Sequence, residues 1–164
     1  MQAFQILDVK GFMGKLLLSS TFDSFLLSEA TITTFNVFSI DGHFHNDYFS
    51  DLDSEHPKQS LSRWEQVRPF CFSLIKGKYT PLSLKIVFQL SEKNVERLLQ
   101  QSGISLTPED IEGLYLNIRY DGTSLSCVTG TSLKLFTLDK TLEYTWDHMV
   151  ASFLKQKEIP CETL

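Results

Sequence analysis

The chain has 164 residues and a formal charge of −5, with 42% hydrophobic and 21% charged residues. That length suffices for one globular domain (1–164) with its own core, and the composition excludes a disordered or fibrous protein. An acidic chain is not expected to coat nucleic acid indiscriminately. The N-terminus lacks a secretory-signal layout and no apolar run approaches roughly eighteen residues, so a cytoplasmic protein away from membranes is expected.

In chain order, "QAFQIL" reads as a strand, followed by a helix over 9–18 with Asp8 as its cap, weakened by Gly11 and Gly14. "ITTFNVFSI" reads as a strand ending in a tight turn at Asp41-Gly42. The return strand of that hairpin would carry His43, His45 and Asp47 on one face. Between Asp41 and Glu55 there are five acids and no Lys or Arg, and three of the four histidines lie between 43 and 56. Two imidazoles at i and i+2 with a carboxylate form a half-site for zinc or another divalent metal, with Asp51, Asp53, Glu55 and His56 as further donors. A polar hairpin face running into a solvated loop accounts for the same residues, and "SDLDSEHPKQS" has the composition of an exposed connection.

The charge then reverses. From Lys58 to Lys85 six cations stand against Glu65 alone. In "SRWEQVRPFCFSLIKGKY", Arg63, Arg68, Lys76 and Lys78 accompany Trp64, Phe70, Phe72 and Tyr79. Cations interleaved with aromatics suit a partner or polyanion surface, including single-stranded nucleic acid held by phosphate contact and base stacking. The structural alternative is a strand burying Phe70, Phe72 and Leu74, turning at Gly77 into the next strand. Trp64 either anchors its segment to the core or awaits a partner.

The second half is more regular. "LKIVFQL" alternates Leu84, Ile86, Phe88 and Leu90 with Lys85, Val87 and Gln89; "LYLNIRY" alternates Leu114, Leu116, Ile118 and Tyr120 with Tyr115, Asn117 and Arg119. Period two with one apolar face predicts half-buried antiparallel strands. Between them, Ser91 caps a helix with a Val95, Leu98, Leu99 stripe, ended by Gly103 with Ile104 folding back on Leu99. Asp121-Gly122 predicts a two-residue hairpin turn. A last helix carries Leu142, Trp146, Met149, Val150, Phe153 and Leu154 on one face, with Asp139 or Thr141 as cap and Pro160 beyond its end.

Cys71, Cys127 and Cys161 are odd in number and widely spaced, so neither a disulfide framework nor a zinc finger is indicated. None has a visible base or helix N-terminus to activate it, and no nucleophile elbow or glycine-rich phosphate loop occurs. His148 lies off the apolar face of the last helix.

Aligning the two Asp-Gly pairs at an offset of 80 superimposes strand on strand and helix on helix. Each half, roughly 1–82 and 83–164, then reads strand, helix, strand, strand and at least one strand more. The fold class expected is α+β: antiparallel sheets packed with two or three helices, a β-α-β-β-β pseudo-duplication and an added C-terminal helix. In element order this resembles the domains of DNA sliding clamps, and the resemblance implies an oligomer if nucleic acid is to be encircled. At the level of residues, "TFDSFLLSEATITTFNVFSIDG", "RPFCFSLIKGKYTPLSLKIVFQLS" and "LYLNIRYDGTSLSCVTGTSLK" resemble an uncharacterised family of anaerobic, gut-type Firmicutes. That resemblance implies a bacterial cytoplasmic protein and no particular activity.

Two functions of different class follow. The first is a non-enzymatic binding or scaffold module acting through its sheet surface, needing no cofactor, with a protein partner or further copies of itself as ligand. The second is a metal-dependent hydrolase centred on His43, His45 and Asp47, in which a bound divalent ion activates water.

Overall fold

The computed structural model describes residues 1–49 and 59–164. The first part of the chain runs β1 (Ala3–Ile6), α1 (Val9–Leu17), β2 (Leu26–Thr33), β3 (Val37–Asp41), a short 3-10 turn at Asn46–Phe49, β4 (Ser62–Arg63) and α2 (Trp64–Ile75). It continues with β5 (Ser83–Gln89), α3 (Glu92–Ser102), β6 (Ile111–Tyr120), β7 (Leu125–Leu133), α4 (Thr141–Gln156) and β8 (Cys161–Thr163). All these strands join one antiparallel sheet in the order β3-β2-β5-β6-β7-β1-β8, with β4 paired to β2 in line with β3.

The alternation in the sequence sets the two faces of this sheet. Ala30, Ile32, Leu84, Ile86, Phe88, Leu114, Leu116, Ile118, Leu125, Cys127, Phe4 and Ile6 point to one side and are buried. They form a single cluster with Phe12, Leu16 and Leu17 of α1, Trp64 and Cys71 of α2, Val95, Leu98 and Leu99 of α3, and Leu142, Trp146, Val150 and Leu154 of α4. All four helices therefore cover the same face. The residues of opposite parity, Thr31, Lys85, Val87, Asn117, Arg119, Ser126 and Gln5 among them, form a second face that no helix of the described residues covers. Val87, although buried, lies outside the core cluster.

The helix ends follow the local chemistry. Asp8 caps α1, accepting the Gly11 N–H at 2.9 Å. The N-cap of α4 is Lys140, not Asp139 or Thr141, and Asp139 just before it accepts the Thr141 N–H at 2.9 Å. Ser91 caps α3, Gly103 is left-handed at φ 63°, and the Ile104 N–H closes on the Leu99 carbonyl at 3.2 Å. On α4, Met149 lies at the exposed edge of the expected face and is 37% exposed.

Four local expectations are corrected. The segment around Phe70 and Phe72 is helix α2, not a strand: Trp64 and Cys71 are its buried residues, Phe70 faces solvent, and Pro69 sits inside the helix. Alternating aromatics mimicked a strand, and an internal proline argued against a helix; the Gln66 side chain accepting the Arg63 N–H at 2.9 Å and the burial of Trp64 hold it helical. Residues 76–82 are consequently a helix-to-strand connection rather than a hairpin. The hairpin between β2 and β3 turns at 34–36, and Asp41-Gly42 is followed by an isolated His43–Leu61 bridge instead of a return strand. The β6–β7 loop has four residues, 121–124, because the Asp121 carboxylate takes the N–H groups of both Thr123 and Ser124.

The repeat is one of element order. β1-α1-β2-β3 is matched by β5-α3-β6-β7, and each half contains a further helix, α2 or α4, with a very short strand before or after it. The pairing does not follow a twofold axis. β5 lies between β2 and β6, whereas its counterpart β1 lies between β7 and β8. Among the described residues, no helix is long and apolar enough to cross a membrane.

Candidate functional site

The acidic, histidine-bearing stretch is organised by hydrogen bonds to its own chain. The Asp41 carboxylate accepts the His43 backbone N–H at 3.0 Å and lies 2.6 Å from the His43 Nδ1. These hydrogen bonds hold the exposed Asp41 carboxyl below its ordinary range. His45 is exposed, and Asp47 lies in the 3-10 turn, so no strand aligns the three side chains on one face. Among the described residues, no three His, Cys, Asp or Glu side chains group so as to hold a metal ion. Asp51, Asp53, Glu55 and His56 lie outside the described residues.

The basic stretch is split by the fold. Trp64 is the first residue of α2 and is fully buried, its indole N–H donating to the Leu16 carbonyl at 2.9 Å. That carbonyl belongs to the last turn of α1, where it has no partner within the helix. Trp64 is thus a core anchor and is withdrawn from any stacking surface. Arg68 forks onto Asp23, with Nε–Oδ1 and Nη2–Oδ2 both at 2.9 Å. Arg63 is exposed and pairs with Glu65 at 3.3 Å. Only Lys76 and Lys78 of the five named residues are exposed without an ion pair among the described residues.

The sheet supplies a surface that the sequence left implicit. Antiparallel register places Thr31, Lys85, Arg119 and Ser126 in one row across β2, β5, β6 and β7. Ser83 and Ser124 close the same end of the face, and together these residues line a shallow depression of about 470 Å³. Lys85 reaches Glu29 at 2.7 Å across the exposed surface. Arg119 makes no ion pair among the described residues. A guanidinium and an ammonium on adjacent strands, with the hydroxyls of Thr31, Ser83 and Ser126 beside them, suit a carboxylate or phosphate group, although the Asp121 carboxylate, which takes the Ser124 hydroxyl at 3.0 Å, also lines the depression. Lys85 and Arg119 were visible as polar-face positions of two alternating strands; that they stand side by side follows only from the register.

With this geometry in hand, comparison with known proteins is informative at the level of family. A family model described as "Family of unknown function (DUF5721)" matches residues 15–162. The chain belongs to this family. No curated protein and no solved structure matches it. The match takes in β2 through α4 and residues 161–162 of β8, but only residues 15–17 of α1 and none of β1. The Lys85–Arg119 row therefore lies within the family's span.

The three thiols are not activated. Burial pushes Cys71 up to about 12 and raises Cys127 as well, with Cys161 raised less severely by partial burial. Native protein treated with a chromogenic disulfide at mildly alkaline pH should therefore release signal from Cys161 alone, and from all three thiols once denatured. Rapid native labelling of Cys71 would mean that α2 opens readily.

Proposed function

We propose that this chain is a non-enzymatic binding module that recognises an anionic partner through the open face of its sheet. One observation carries the reading: four helices pack on one side of the eight-stranded sheet, while among the described residues the other side is uncovered, polar and marked by the Lys85–Arg119 pair. Such a face offers in-register side chains on a rigid frame, as a recognition surface requires. The exposed Glu29–Lys85 pair is no obstacle, since surface ion pairs are weak enough for a ligand to compete. The unactivated cysteines and the absence of an aligned histidine strand in 43–47 favour binding over hydrolysis.

Three free cysteines with no disulfide support a reducing, cytoplasmic setting. The clamp-like order of elements supports, within this reading, an assembly of several copies, since one sheet of this size cannot surround a nucleic acid.

The test is an amide chemical-shift titration with sodium tripolyphosphate at low ionic strength. Shifts should concentrate at Thr31, Lys85, Arg119 and Ser126, and Arg119→Ala should weaken binding roughly tenfold without changing the melting temperature. Shifts confined to other surfaces, or none at all, would sink the proposal.

A further inference from the structure

A second surface, at one end of the sheet, combines exposed apolar side chains with unpaired positive charge. The β2–β3 hairpin loop and the connection from α2 to β5 meet there, the Leu82 N–H donating to the Thr33 carbonyl at 2.8 Å. Between them lies a groove of about 420 Å³ lined by Phe35, Ile75, Lys76, Lys78, Tyr79 and Leu82, among others. Phe35 is 87% exposed, Tyr79 89% and Leu82 66%, a contiguous apolar cluster that a solvated loop end does not require. Phe35 is braced edge-on by Phe38, with ring centroids 5.7 Å apart.

The charged side chains lining this groove are of one sign. No acid occurs between Glu65 and Glu92, and none lines the groove. Of the four cations in that interval, Arg68 is bound to Asp23 and Lys85 to Glu29, which leaves Lys76 and Lys78 flanking the apolar cluster. A chain carrying −5 overall thus keeps, among the described residues, two lysines without an ion pair beside three exposed apolar side chains.

We infer that this corner docks a short segment of a partner protein in which aromatic or aliphatic side chains alternate with Asp or Glu. The apolar side chains enter between Phe35, Tyr79 and Leu82, and the carboxylates meet Lys76 and Lys78. Charge complementarity excludes a basic segment, and the apolar cluster distinguishes the occupant from the simple polyanion proposed for the sheet face. This site is separate from the Lys85–Arg119 row, so either can fail without the other.

The experiment uses the full chain and a fluorescein-labelled peptide in which Asp and Glu alternate with Phe and Leu, followed by fluorescence anisotropy. Saturable binding is expected, falling as salt rises. It should weaken roughly tenfold in Lys76→Glu/Lys78→Glu and similarly in Phe35→Ser/Tyr79→Ser, both at exposed positions. Lys93→Ala, which removes an exposed cation of α3 outside both surfaces, should bind as the parent does. Absence of saturation, equal binding by either double variant, or equal binding of a peptide with Lys in place of Asp and Glu would overturn the inference. So would concentration-dependent self-association of the parent, in sedimentation, that Phe35→Ser/Tyr79→Ser abolishes, because a second copy would then fill the groove.

Discussion

Replacing Trp64 by alanine should destabilise the protein by about 3–5 kcal/mol, a large share of the roughly 5–15 kcal/mol that holds a domain of this kind folded. The indole is fully buried, stands edge-on to Phe88 at 5.1 Å between ring centroids, and supplies the donor for the Leu16 carbonyl. Truncation therefore opens a cavity between α1, α2 and β5 and leaves the end of α1 with an unsatisfied acceptor. The midpoint of thermal unfolding should fall by on the order of 10 °C. Trp64→Phe separates the two contributions: it keeps most of the volume, loses the N–H, and should cost only about 1–3 kcal/mol. Were Trp64 instead a docking residue, the alanine variant would melt as the parent does and only partner binding would change.

Gly42→Ala should cost about 3 kcal/mol, at the upper end of what overpacking does. Its backbone crosses β2 at the irregularity between Leu27 and Glu29, donating to the Ser28 carbonyl at 2.9 Å and accepting from the Ser62 N–H at 2.8 Å. An added Cβ would stand 1.8 Å from the Leu27 carbonyl oxygen, and backbone atoms cannot swing aside as a side chain can. The glycine is required by close approach and not by a left-handed turn; its φ is not positive. Gly14→Ala is the matched control, since nothing lies within 4 Å of its added Cβ in the interior of α1. It should stabilise by about 0.5–1 kcal/mol. Denaturant titration of both variants checks the pair, and equal melting of Gly42→Ala and the parent would show that the crossing is not as tight as drawn.

Legibility differed sharply between the halves. β5, α3, β6 and α4 were readable almost residue by residue because apolar period, cap and stop signals agreed there. In α2 they conflicted: alternating Phe70 and Phe72 and the internal Pro69 indicated extended chain, while burial of Trp64 and Cys71 decided for a helix. The same conflict displaced the expected strand from 43–47, since Gly42 was read as a turn former when it is a crossing point. Of the candidate site residues, exposure of Lys76 and Lys78 was legible, whereas the removal of Arg68 by Asp23 was not; the two are forty-five positions apart.

The amino-acid sequence by itself determined the class of fold and which face of each regular strand is apolar, because side-chain alternation and helix caps are set by near neighbours. Only the tertiary structure decided which cations are free, which aromatics are buried, and that Lys85 and Arg119 stand side by side. Those outcomes depend on strand register and on contacts between distant segments, where the free energy of burial outweighs local preference.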